Sequence, residues 1–130
     1  MSAEDLFSIS ALASMFDVSS RTIRYYEEVG MLTSETRDRL TKQRSYTNQE
    51  RRRLKLILRG KKLGFSLQEI KEMIELYEAN PEGLEEKKRI IQHADRKIHE
   101  MNEQILQLQM LRDELIVHKE RYLQNSDSKK

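Results

Sequence analysis

Cysteine and tryptophan are absent from this chain, and proline occurs once. Without cysteine there is no disulfide, no thiolate metal site and no cysteine nucleophile. No run of about 18 apolar residues occurs, which excludes a transmembrane helix. The first residues, Met1-Ser2-Ala3-Glu4-Asp5, are acidic and lack an apolar stretch of signal-peptide length, so a cytoplasmic protein is expected. Glycine-rich phosphate loops, Ser/His/Asp groupings and pocket-forming carboxylate pairs are missing too, and no enzyme is expected. His93, His99 and His118 do not stand three or four residues apart, so neither a metal site nor any other cofactor is expected. What is abundant is charge: 35% of the 130 residues are Asp, Glu, Lys or Arg, against roughly 25% in an average globular protein. Leu, Ile, Met, Glu, Lys, Arg and Gln dominate, a vocabulary that favours helix over strand.

The formal net charge of +2 hides an uneven distribution. Residues 21–62 hold thirteen Lys and Arg against five acids, while both flanking segments are net negative. Screening limits electrostatic reach to about 8–10 Å in physiological salt. A polyanion would therefore feel the central block rather than the chain average.

Turn signals punctuate residues 7–77, whereas 82–124 form one uninterrupted pattern. The break falls at Asn80-Pro81-Glu82-Gly83, because proline biases the preceding residue away from helix. The pattern divides the chain into a first domain over residues 1–78, a linker at 79–83, a coiled-coil helix over 84–124 and a disordered tail at 125–130. Ile9, Leu12, Ala13 and Phe16 share one face of a two-turn helix capped by Ser8. Asp17-Val18-Ser19 makes a turn whose Val18 plugs the junction. Ser19 or Ser20 then caps a second helix that stops at Gly30. Its inward stripe is Ile23, Tyr26 and Val29, which leaves Arg21, Thr22, Arg24 and Tyr25 pointing elsewhere. Two short helices joined by such a turn are the helix-turn-helix unit, whose second helix enters the major groove of double-stranded DNA. Arginine there reaches guanine or phosphate, and Ser, Thr and Tyr donate to phosphate. Tyr26 is expected in the core with its hydroxyl at the rim, and Tyr25 on DNA.

Residues 33–46 lack helical periodicity and suit a short β-ribbon or loop anchored by Leu32 and Tyr46. Such a wing would touch the sugar-phosphate backbone through Arg37, Arg39, Lys42 and Arg44. Thr47-Asn48-Gln49-Glu50 is a capping box that opens a third helix. Its inward face is Leu54, Ile57, Leu58 and the stem of Lys61; Arg51, Arg52, Arg53, Lys55, Arg59 and Lys62 face outward. Gly60 costs a helix roughly 1 kcal/mol relative to alanine, so close helix packing is expected there. Gly64 ends the helix. Ser66-Leu67-Gln68-Glu69 is a second capping box, opening a helix with Leu67, Ile70, Ile74 and Tyr77 on one side.

From Leu84 onward the apolar positions are Ile91, Ala94, Ile98, Met101, Ile105, Leu108, Leu111, Leu115, His118 and Tyr122, in alternating steps of three and four. That is a coiled-coil seam. The repeated three at Leu108–Leu111 is a stammer, which overwinds the coil locally. A helix over 82–123 would be about 63 Å long. It cannot bury its stripe on a domain of this size, so a homodimer is expected through Ile91, Ile98, Met101, Ile105, Leu108, Leu111 and Leu115. The fold class is therefore mainly α: a winged helix-turn-helix DNA-binding domain followed by a long dimerising coiled-coil helix.

Arg21-Thr22-Ile23-Arg24-Tyr25-Tyr26-Glu27 with Gly30-Met31-Leu32 resembles the signature of the MerR family of bacterial transcription regulators. The likeness continues through Arg44-Ser45-Tyr46 and Leu63-Gly64-Phe65-Ser66-Leu67-Gln68-Glu69-Ile70. It covers residues 7–77 by motif and 82–124 by architecture. The stretch from Leu54 to Phe65 is more similar to the LiuR-like subgroup, which controls branched-chain amino acid and fatty acid catabolism genes. The resemblance implies a homodimer joined by an antiparallel coiled coil, bound to a pseudo-palindromic operator. It further implies distortion of a promoter whose elements are too widely spaced, so that RNA polymerase engages both. By motif, Ser20, Arg21, Thr22, Arg24 and Tyr25 would contact DNA from the second helix, and Arg44 and Tyr46 from the wing. The family's wing reads Gly-Tyr-Arg-x-Tyr; here Lys42-Gln43-Arg44-Ser45-Tyr46 lacks the glycine and the first tyrosine.

Relatives that sense metals or redox state use cysteines near the coil, so copper, mercury, zinc-thiolate and iron–sulfur sensing are not expected here. Multidrug-responsive relatives carry a large C-terminal ligand domain, in place of which six polar residues follow the coil. Any effector, whose identity stays unknown, is then expected between coil and DNA-binding domains at the dimer interface. Two other classes fit the same pattern. One is a DNA-organising protein without promoter-specific regulation, and the other is a coiled-coil protein-interaction adaptor.

Overall fold

Ser8 sets the first helix. Its backbone is extended and its Oγ accepts from the Ala11 amide at 3.0 Å, so α1 runs Ile9–Phe16. Asp17 stops it in the left-handed region at φ 54°, a conformation that Asp tolerates better than most residues. Ser19 caps α2, Ser20–Glu28, by accepting from the Thr22 amide. Residues 6–36 and 43–128 are described by this computed structural model. Arg37, Arg39 and Lys42 of the expected wing lie outside them.

A small antiparallel sheet follows the helix pair. The order is β1 (Phe7–Ser8), β3 (Arg44–Tyr46), β2 (Glu35–Thr36). Phe7 lies opposite Tyr46, and Ser45 pairs with Ser8 on one side and Glu35 on the other. The ribbon expectation holds for β2 and β3. The strand at Phe7–Ser8 was not expected, since two residues are too few for an alternation to show.

Helix α3 spans Asn48–Lys62 and α4 spans Leu67–Glu78. The second capping box is reciprocal: the Glu69 amide donates to Ser66 Oγ at 3.1 Å, and the Ser66 amide to Glu69 Oε1 at 3.2 Å. The first is only half made. Thr47 Oγ1 accepts from the Glu50 amide, but the buried Glu50 carboxylate takes Thr33 instead, through its amide at 2.9 Å and its hydroxyl at 3.3 Å. Gly64, at φ 87°, turns the chain left-handed, and the Phe65 amide reaches back to the Gly60 carbonyl at 3.0 Å. Gly60 is buried against α4. A Cβ at that position would lie 2.8 Å from Ile70 Cγ1, so the helices close to a distance that only glycine allows.

The core of this first unit, Met1–Glu78, is Leu12, Ile23, Tyr26, Met31, Leu32, Tyr46, Leu54, Ile57, Ile70 and Ile74. Leu58 packs against it, half-buried, as do Ile9, Ala13, Phe16 and Val18. Three inward assignments are corrected. Val29 is exposed because α2 has already ended at its C-cap; Lys61 is exposed because buried Gly60 occupies the contact with α4; and Tyr77 is 84% exposed, with Met73 and Ile74 covering the core instead.

The second unit, Ala79–Lys130, is built on one helix, α5, Leu84–Ser128. At 45 residues it is about 68 Å long. It runs through positions 125–128, where a disordered tail was expected; polar Gln124-Asn125-Ser126 continues a helix already propagated through forty residues. No described helix is long and apolar enough to cross a membrane.

Candidate nucleic-acid interface

Helix α2 presents two faces of different chemistry. Ile23 is fully buried and Tyr26 nearly so. Burial pushes the Tyr26 hydroxyl above its ordinary value, with neighbouring Tyr25 adding to the effect. Arg21, Arg24 and Tyr25 stand on the solvent side, Tyr25 at 46% exposure, its ring edge-on to Tyr26 at 5.4 Å. Ser20 and Thr22 are half-buried in the first turn, and Thr22 Oγ1 sits 3.0 Å from the Ser19 hydroxyl. Two arginines and a tyrosine on one face of an exposed helix can read base edges and hold phosphates.

The ribbon is tied to this helix from one carboxylate. Arg44 Nη1 donates to Glu27 Oε2 at 2.7 Å, and the Tyr46 hydroxyl donates to Glu27 Oε1. Tyr46 is 0% exposed, which corrects the expected contact between its side chain and DNA: the ring is core and the hydroxyl is spent on Glu27. Burial, then the bond to Glu27, drives that hydroxyl far above the ordinary tyrosine value. The Arg44 side chain remains 51% exposed while paired. Arg37, assigned to the wing's DNA contacts, lies outside the described residues.

Glu27 escaped the sequence reading, although a signal was available. It sits in the last turn of α2, where the helix dipole disfavours an anion, so a compensating donor had to exist. Glu50, in the first turn of α3, is a second bridging carboxylate, joining Thr33 to α3 and lying 3.5 Å from Arg53 Nη1. Arg53 is therefore not outward: its Nε donates to Glu78 Oε2 at 2.6 Å. That bond holds Glu78 below the usual carboxylate range and raises Arg53 above its own. Arg51 is also engaged, donating to Asn48 Oδ1 at 2.6 Å with its guanidinium 6.0 Å from the centre of the Phe7 ring. Arg52, Lys55, Arg59 and Lys62 stay exposed. The first three line an open groove of about 520 Å³ with Leu56, Ile74 and Tyr77.

On α5, Ile91, Ile98, Ile105, Leu108, Leu111 and Leu115 are exposed, and Met101 is half-buried. Leu106, Met110 and Val117 are exposed as well, a quarter-turn or more away from the seam, and the three-four spacing did not single them out. Among the described residues no group of three His, Asp or Glu side chains gathers to hold a metal.

Comparison with known proteins follows the same outline. The family model described as MerR HTH family regulatory protein matches residues 7–76, and that described as MerR, DNA binding matches residues 51–117. The transcriptional regulator ZntR of Escherichia coli K12 is 35% identical over 112 residues, covering 85% of this chain and 76% of its own. The regulator CueR of Salmonella typhi is 31% identical over 109 residues, covering 83% and 75%. Among solved structures, HiNmlR, described as a MerR family regulator lacking the sensor domain and bound to promoter DNA, superposes with a TM-score of 0.64 at 23% identity. That match covers 96% of this chain and 95% of the other.

Proposed function

The chain belongs to the MerR family of DNA-binding transcriptional regulators, and on that premise we propose that it binds a pseudo-palindromic promoter operator as a homodimer. The observation that carries this reading is the exposed Arg21, Arg24 and Tyr25 face of α2, backed by buried Ile23 and Tyr26. Each subunit inserts α2 into the major groove, with Ser20 and Thr22 at phosphates and Arg44 on the flanking backbone. HiNmlR, which shares the fold, is described as bound to promoter DNA, and this supports duplex DNA as the partner.

Two copies of α5 pair antiparallel through Ile91, Ile98, Met101, Ile105, Leu108, Leu111 and Leu115. An apolar stripe left in water along some 68 Å of helix is the physical ground for the pairing. The bound dimer distorts the promoter so that RNA polymerase engages both of its elements. Targets in branched-chain amino acid or fatty acid catabolism follow from the LiuR-like stretch Leu54–Phe65, with any effector seated at the dimer interface.

A genome-wide binding map followed by footprinting tests this. Protection of a few palindromic promoter sites is expected, with affinity falling steeply in salt at a slope near −0.9 per phosphate neutralised. Broad coverage without discrete sites would instead mark a DNA-organising protein, and no protection at all would leave an adaptor.

A further inference from the structure

We propose that Glu27 is a positioning residue for DNA recognition, latching β3 to the C-terminal end of α2 through the Arg44 guanidinium and the Tyr46 hydroxyl and acting on DNA only through the placement of Arg44. The proposal rests on the reading of α2 as the recognition helix.

Arg44 and Tyr46 are two apart on β3, hence on the same face of the strand, and one carboxylate collects both: Arg44 Nη1 on Oε2 at 2.7 Å and the Tyr46 hydroxyl on Oε1. Ser45, on the opposite face, turns its hydroxyl to the Glu35 carbonyl. The Glu27 side chain is only 12% exposed. A nearly buried anion at the negative end of a helix dipole is unfavourable by itself, and without its donors it would be left uncompensated.

β3 is the central strand, paired with β1 at Phe7–Ser8 and with β2 at Glu35–Thr36, and its Tyr46 ring is buried in the core. What Glu27 adds is a side-chain tie from that strand to α2, which sets where its exposed Arg44 end stands relative to the helix. It also holds the Arg44 guanidinium in place while half of that side chain faces solvent, so a phosphate meets it without paying the full rotamer entropy.

The sign of one substitution separates this role from simple charge. Deleting a negative charge beside a polyanion strengthens binding by Coulomb attraction alone; a broken latch weakens it. The probes are a duplex selected by the wild-type protein from a random-sequence library and an unselected duplex of equal length, with affinities read by fluorescence anisotropy. Glu27→Gln should weaken the selected and the unselected duplex alike, by about tenfold, because the Arg44 it positions meets backbone phosphate rather than a base edge. Tyr46→Phe, which keeps charge and shape, should weaken the selected duplex by about threefold with unchanged circular dichroism. In an Arg44→Gln background, Glu27→Gln should cost less than about twofold more.

Unchanged or tighter binding by Glu27→Gln overturns the proposal, as does full additivity with Arg44→Gln. If Glu27→Gln fails to fold, Tyr46→Phe decides by the same criterion. A wild-type protein that selects no duplex overturns the α2 reading and this proposal together; selection without these losses overturns the latch alone.

Discussion

Arg24 stands exposed directly after fully buried Ile23. Its backbone is thus held by the core while its guanidinium faces solvent. Arg24→Ala should cost about 1–3 kcal/mol on a selected operator if it reads a base, and less if it meets phosphate. Equal loss on selected and random duplexes would move Arg24 to the backbone class. At the other end of the domain, Glu78 lies below the ordinary carboxylate range because Arg53 donates to it. The folded state then binds fewer protons than the unfolded one near and below about pH 4.3. Stability from this pair is complete above that value and lost as pH falls through the lower folded value. Glu78→Gln should flatten the acid limb of stability against pH measured by urea unfolding; an unaltered limb would show the pair contributes nothing.

Helices α3 and α4 meet at a glycine. At Gly60 two effects oppose: alanine gains roughly 1 kcal/mol of helix propensity, whereas overpacking against Ile70, 2.8 Å from the added Cβ, costs about 1–3 kcal/mol. The contact is with Cγ1, close to the Ile70 backbone and unable to swing far aside. Gly60→Ala is therefore expected to be destabilising by about 1 kcal/mol in denaturant titration, and stabilisation would refute the close packing. The half-made capping box at Thr47 belongs to the same scale. Glu50 leaves the helix end because Thr33 offers it an amide and a hydroxyl from a distant segment, so a local motif yields to a tertiary one.

For the whole molecule the decisive quantity is the apolar stripe of α5. A helix of 45 residues leaves isoleucines and leucines at three-four spacing in solvent, a contiguous apolar stripe of the kind that marks an interaction surface. Replacing Ile98 and Ile105 together by glutamate should yield monomers in light scattering and abolish cooperative operator binding. Dimers that persist would reject this seam.

Helix boundaries were legible because they are local chemistry. Ser8, Ser19, Thr47 and Ser66 cap where their hydroxyls can reach an amide three residues on, and Gly64 ends α3 where a left-handed turn is needed. The inward stripe of α2 and the close approach at Gly60 were legible for the same reason: period and residue size are properties of the chain itself. Tyr46, Glu27, Arg53 and Tyr77 were not. Their roles depend on partners 19, 17 and 25 residues away, or on which flank of α4 meets the core, and spacing along one element carries no record of either. The exposed arginine and tyrosine face of α2 was thus written in the order of the residues, whereas the partners of the Glu27 and Glu50 carboxylates were chosen only when distant segments packed and left buried charges to be matched.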